Sequence, residues 1–127
     1  MTLRVRALDP ASTAEIELVA VRMQDTLDEV LGEARGRAMY SMDWLRERVR
    51  FHLDPSRTAR VLVAEDDGAI VGHAIGREEH DEAGRHGWFS TIFVAPSHRR
   101  RGVAVALADA MEAWLVALDV PRLAYAT

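Results

Sequence analysis

A chain of 127 residues is a little under one typical domain length, so a single domain over residues 1–127 is expected. With 49% apolar and 28% charged residues and no cysteine, it is neither disordered, collagenous nor disulfide-built, and it offers no thiol nucleophile or cysteine zinc site. Sixteen basic against twenty acidic residues give a net charge of −4, so nucleic acid and anionic membrane are poor partners and any phosphate must be gripped locally.

The opening Leu3-Arg4-Val5-Arg6-Ala7-Leu8 alternates apolar and polar residues, as a half-buried strand does, and Asp9-Pro10 ends it. The start of the chain lacks the apolar centre of a secretory signal, and no run approaches the roughly 18 apolar residues of a membrane span, so a cytoplasmic protein is expected. Ser12 and Glu15 form a capping-box pattern ahead of Ile16, Val19, Ala20, Met23, Leu27, Val30 and Leu31, which recur at helical spacing. That helix should stop near Gly32 to Gly36. A second helix is expected from about Ser41 to Leu53, where Asp54-Pro55 breaks it.

Arg60 to Glu65 and Ala69 to Ile75, joined by Asp66-Asp67-Gly68, give the strongest hairpin signal in the chain. Gly76 to Gly87 is polar, carries turn glycines and reads as an exposed loop. Trp88 to Val94 is aromatic and β-branched enough for a buried strand, which Pro96 terminates. Val103, Leu107, Met111, Trp114, Leu115 and Leu118 mark the apolar stripe of a long helix starting near Gly102, and Pro121 to Ala126 begins a last strand.

The chemistry should lie in Val94-Ala95-Pro96-Ser97-His98-Arg99-Arg100-Arg101-Gly102-Val103-Ala104. Here a buried strand ends at a proline, and a glycine admits the chain to a helix whose first N–H groups are free of side-chain obstruction. Such a helix N-terminus has unpaired donors and the positive end of a dipole, which suits a phosphate or pyrophosphate. Arg99-Arg100-Arg101 taken alone is a solvated basic turn; the strand, the proline stop and the striped helix around it favour a phosphate loop. A dinucleotide-binding unit fits worse, because no Gly-x-Gly-x-x-Gly follows the first strand. His52, His73 and His98 lack metal-ligand spacing, and no metal is expected. Met23, Met39, Met42 and Met111 read as core or near-core packing.

Arg99-x-x-Gly102-x-Ala104, preceded by Val94-x-Pro96, resembles the acyl-CoA-binding motif of the GNAT superfamily of N-acetyltransferases, and the earlier elements follow in that family's order. The resemblance covers the whole chain. It implies an α/β (α+β-like) fold with a mixed, mostly antiparallel sheet flanked by helices, in the order β-α-α-β-β-β-α-β. It implies acetyl-CoA as acyl donor and direct transfer to a small-molecule or peptide amine. Main-chain amides of Arg99, Arg100, Arg101, Gly102, Val103 and Ala104 would hold the pyrophosphate, and backbone groups of Ile92, Phe93 and Val94 would pair with the pantetheine arm. An N–H near Val94 would serve as oxyanion donor.

The family often places a Glu as base on the strand before Val-x-Pro, where this chain has Ser90 and Thr91. Glu78, Glu79, His80, Asp81, Glu82 and His86 are candidates for that work by position only, with Glu79 and His80 put forward as catalytic, although a solvated acidic loop is the plainer reading of any one of them. The family's next helix, often with a Tyr that protonates the thiolate, and its final strand pair have no counterpart here; Tyr125 lies on the strand and does not match. The chain is thus expected to be C-terminally truncated relative to the family, with the segment after Pro121 either poorly ordered or completed by a second copy in a homodimer. The competing class is a non-catalytic module that binds CoA or a protein partner.

Overall fold

The computed structural model describes residues 1–125. Strand β1 (Leu3–Ala7) is followed by three helices, α1 (Thr13–Leu31), α2 (Glu33–Met39) and α3 (Met42–Leu53). Strands β2 (Ala59–Asp66), β3 (Ala69–Asp81) and β4 (Gly84–Val94), a single 3-10 turn (Pro96–His98), helix α4 (Val103–Ala117) and strand β5 (Leu123–Tyr125) complete it. The sheet runs in the order β1-β2-β3-β4-β5, antiparallel except for the parallel β4/β5 pair. This is the mixed, mostly antiparallel sheet flanked by helices that the sequence implied.

Alternation along the strands sorts the core onto two faces. Val61, Val63 and Ile75 pack with Ile16, Val19 and Ala20 of α1 and Leu45 and Val49 of α3. Leu62, Ala64, Ala74 and Phe89 pack on the other face with Val103, Leu107, Met111 and Leu115 of α4. The side-chain period of two in a strand produces this division directly. The β2–β3 turn has positive φ at both Asp67 (50°) and Gly68 (85°), as a two-residue turn matched to strand twist requires. Ser12 Oγ accepts from Glu15 N–H at 3.1 Å, and Ser41 Oγ from Trp44 N–H at 3.1 Å, so both long helices on the first face start at side-chain caps.

Three expectations change. The first helix ends at Gly32 (φ +84°), but a further short helix, α2, begins at once, so the chain has three helices before the first hairpin instead of two. Gly36 is not a stop: a Cβ there would lie 2.7 Å from Asp28 Oδ1 and 2.9 Å from the Leu27 carbonyl carbon, so glycine lets α2 press against α1. Gly76 to Gly87 is not a loop but the outer half of the β3–β4 hairpin, turning only between Asp81 and Gly84. Its charges pair along the strands, Arg77 with Glu79 and Arg85 with Glu78, while Gly76 and Gly87 make room for Met111 and Leu115. Met39, 54% exposed, is a surface residue and not part of the core.

Leu123–Tyr125 does find a partner within its own chain, pairing with Gly87–Phe89 of β4, and Gly87 N–H donates to Arg122 C=O at 3.0 Å. Arg122 is bound by Asp81 at 2.9 Å and Tyr125 OH donates to Glu112 at 2.7 Å. Tyr125 is thus an edge aromatic, stacked on Phe89. The end of the expected strand, Ala126, lies outside the described residues.

Two buried histidines are held neutral. His52 donates from Nδ1 to Arg48 C=O at 2.9 Å and accepts at Nε2 from Arg77 at 3.0 Å, since a carbonyl can only accept and a guanidinium only donate. Burial pushes its pKa down to about 4, with Arg77 and Arg48 adding to the effect. Burial also holds His73 at about 3, with a further contribution from Arg22.

Gly36→Ala should destabilise the protein by roughly 1–3 kcal/mol, although alanine is normally the better helix former, because backbone of α1 stands where the methyl would go. Urea unfolding measures this, and a neutral or stabilised variant would contradict the packing described. The histidines bind protons in the unfolded chain near pH 6.5 but not in the fold, so their contribution to stability is whole above that pH and falls as pH drops toward about 4 for His52 and about 3 for His73. Stability at pH 4.5 should be lower than at pH 7 by on the order of 2 kcal/mol per histidine, and His73→Leu should remove one share of that difference in paired urea titrations.

Candidate active site

The parallel pairing of β4 with β5 stops at Phe89, and the next residue, Ser90, is an extra residue in the β3–β4 register. Beyond this bulge β4 continues along β3 with its outer edge open. Ala95 N–H donates to Val71 C=O at 2.8 Å, so the antiparallel alternation turns the N–H and C=O of Ile92 and Val94 away from β3, into the gap. Arg99 Nε donates to Val94 C=O at 3.0 Å, which marks the direction those groups face.

Pro96 ends β4, and Arg100 (φ +64°) and Gly102 (φ +81°) then adopt left-handed backbone on either side of Arg101. Alternating handedness of this kind turns successive N–H groups toward one concavity, a nest for an anion. The first N–H groups of α4 follow directly. No side chain caps that helix, and its first intrahelical bond runs from Ala106 N–H to Gly102 C=O at 3.0 Å, leaving the amides of Val103, Ala104 and Val105 without partners inside the helix.

An open groove of about 360 Å³ lies over this turn, lined by Val94, His98, Arg99, Arg100, Gly102, Val103, Ala104 and Val105. A Cβ on Gly102 would meet nothing within 4 Å, so it would project into free space there. Val103 lines the groove through its backbone, because its side chain is buried in the α4 core; Val105 offers an apolar wall at 63% exposure. Arg100 and Arg101 are exposed beside it. The donors and shape fit a pyrophosphate carried on a larger, partly apolar molecule.

Two ties hold the turn in place. His98 Nε2 donates to Asp66 Oδ2 at 2.8 Å and Ser97 Oγ lies 2.8 Å from His98 Nδ1, so the turn is fastened to the β2–β3 hairpin. The His98 hydrogen bond and Thr2 N–H hold the Asp66 carboxyl below the usual range. Arg99, besides reaching Val94, binds Glu29 of α1 at 3.2 and 3.4 Å. Sequence reasoning placed Asp66 only in the hairpin turn and did not name Glu29. Glu29 follows Arg22 at i+7, and that helical spacing was the available signal.

Val94 lines the groove with the 99–104 turn and Ile92 precedes it with its backbone groups facing outward, but the N–H and C=O of Phe93 face β3, so Phe93 is not available to the pantetheine arm as expected. Glu79 and His80 are not brought to the turn. The register sets Glu79 opposite His86, eight residues along β4 from Val94, or roughly 25 Å of extended strand. Their segment continues the hairpin away from the open edge, and Glu78, Glu79 and Asp81 there are already engaged. Glu79 is paired with Arg77, and His80 lies on the surface 3.3 Å from Glu78. Arg85 holds the Glu78 carboxyl below its usual range, and Arg122 does the same to Asp81. Buried His86 sits 3.7 Å from Asp81 in the same remote cluster.

Comparison with known proteins agrees with this geometry. The acetyltransferase (GNAT) family profile matches residues 21–127. Among curated proteins no relative matches. A GCN5-related N-acetyltransferase from Ralstonia eutropha superposes with a TM-score of 0.78 at 20% identity, over 99% of this chain and 84% of its own. The aminoglycoside N-acetyltransferase AAC(6')-Iy in complex with CoA gives 0.71 at 19% identity, over 99% and 77%. An aminoglycoside acetyltransferase from an uncultured soil metagenomic sample, in complex with sisomicin, gives 0.72 at 14%, over 98% and 77%. The likeness to these structures is one of fold; the profile match over most of the sequence shows that the chain belongs to the GNAT family of acetyltransferases.

Proposed function

We propose that the protein is an acetyl-CoA-dependent N-acetyltransferase that passes the acetyl group directly from the thioester to an amine of a small molecule or peptide. The observation that carries this reading is the uncapped start of α4, with left-handed Arg100 and Gly102, directly after the open edge of β4. Support comes also from the family and from a structural neighbour solved with CoA. The amides from Arg99 to Ala104 take the pyrophosphate, and the outward backbone groups of Ile92 and Val94 pair with the pantetheine arm.

The acceptor nitrogen, neutral, attacks the thioester carbonyl and forms the C–N bond. Negative charge then collects on the carbonyl oxygen, and the Val94 N–H meets it. Collapse breaks the C–S bond, the thiolate leaves and takes a proton, and the new ammonium loses one. Ser90 and Thr91 are far too weak as bases to take it, and Glu79 and His80 stand too far away. A second copy of the chain along the outer edge of β5 is part of the same reading, because among the described residues no strand lies beside that edge.

Gly102→Val should weaken acetyl-CoA binding at least tenfold in calorimetry, both by filling the groove and by straining a backbone with φ +81°. Undiminished affinity would move the donor site elsewhere. Thiol release across an amine panel then separates turnover from simple binding. The rate should climb with pH until the acceptor is mostly neutral, since no side chain at the open edge lowers that requirement. A profile already flat at pH 6 with a basic amine would show that a tuned base exists.

A further inference from the structure

Helix α1 carries a single basic side chain, Arg22, and the fold sets it against the open stretch of β4. Its guanidinium lies over the Phe93 ring, 5.3 Å from the centre, one residue before Val94. The Nη1 atom is buried and has no hydrogen-bond partner among the described residues. Burial lowers the pKa of this arginine, opposed only by Asp25 acting through space. His73, neutral, stacks with Phe93 at 5.5 Å, and neither of its nitrogens has a hydrogen-bond partner among the described residues.

Arg99 beside the gap has Glu29, and at the hairpin tip Arg85 has Glu78 and Arg122 has Asp81, while Arg100 and Arg101 stand exposed to water. Glu29 shares a helix face with Arg22, but Arg99 has taken it. A half-buried guanidinium without a counter-ion is a cost to the folded protein that an arriving anion removes. Its planar fork is shaped for a carboxylate, and its place next to Phe93 puts that carboxylate beside the carbonyl that Val94 would hold.

We propose that Arg22 binds a carboxylate carried by a substrate in the β4 gap. This deepens the acetyltransferase reading and rests on it for the position of the reacting carbonyl. The carboxylate belongs either to the acceptor, making it an amino-acid-like amine, or to the acyl group of a dicarboxylic acyl-CoA.

Calorimetry distinguishes the two without requiring turnover. Wild type and Arg22→Gln are titrated with alanine and phenylalanine against their carboxamides, on free and CoA-treated protein, and with succinyl-CoA against acetyl-CoA. Wild type should favour the carboxylate member of one pairing at least tenfold, and Arg22→Gln should lose that preference while binding CoA unchanged. Preference in the amino-acid arm assigns the carboxylate to the acceptor; preference in the acyl-CoA arm assigns it to the donor. Equal affinity within every pairing overturns the proposal, as does a preference that survives in Arg22→Gln. Failure of both acyl-CoAs to bind would instead refute the donor site, with the amino-acid arm on free protein still deciding the role of Arg22. The melting temperature gives an independent check: Arg22→Gln and Arg22→Met should melt no lower than wild type, and a marked fall in both would make Arg22 a packing residue and sink the idea.

Discussion

The site depends on one interruption in hydrogen bonding along β4. From Gly87 to Phe89 the strand is paired on both sides; after Ser90 only β3 remains among the described residues, and the outward N–H groups of Ile92 and Val94 and the C=O of Ile92 are left to a ligand, the Val94 C=O being taken by Arg99. Buried or half-buried backbone groups without partners are unfavourable, so the opening is stable only where something can fill it. The bulge also sends Thr91 and Phe93 toward α1 and Ile92 and Val94 toward α4, giving the gap two different walls.

The turn after β4 is held by contacts from outside itself. His98 reaches the β2–β3 turn through Asp66, and Arg99 reaches α1 through Glu29 while it occupies the Val94 carbonyl. The amides of Arg100 to Ala104 are therefore presented on a fixed frame, which is what a preorganised anion site requires. Exposed ion pairs such as Arg99–Glu29 contribute little stability, on the order of 0 to 1 kcal/mol, so their value here is positional.

Charge is distributed unevenly between the two ends of the hairpin. At the tip, Arg77, Arg85 and Arg122 pair with Glu79, Glu78 and Asp81, and the carboxyls of Glu78 and Asp81 are held below their usual range. At the open edge, Arg22 has no ion-pair partner among the described residues, and its guanidinium lies over Phe93, with which neutral His73 stacks. The acidic tip, which held the base candidates in the sequence, thus serves to close the hairpin, and the free backbone donors lie at the other end.

Local sequence determined most of the elements, since period-two alternation, caps at Ser12 and Ser41, the Asp67-Gly68 turn and the Val94 to Ala104 motif are all short-range signals. It also located the turn that leads into the uncapped start of α4, because a helix start is a local backbone property. Glycine misled where its purpose was not local: Gly36, Gly76 and Gly87 sit under neighbouring elements and mark close approach, not turns. Which residues face the gap was decided by the fold alone. Arg22 and Glu29 on α1, Asp66 on the β2–β3 turn, and the remoteness of Glu79 and His80 all follow from strand register and helix docking, which are set by long-range packing that no window of sequence contains.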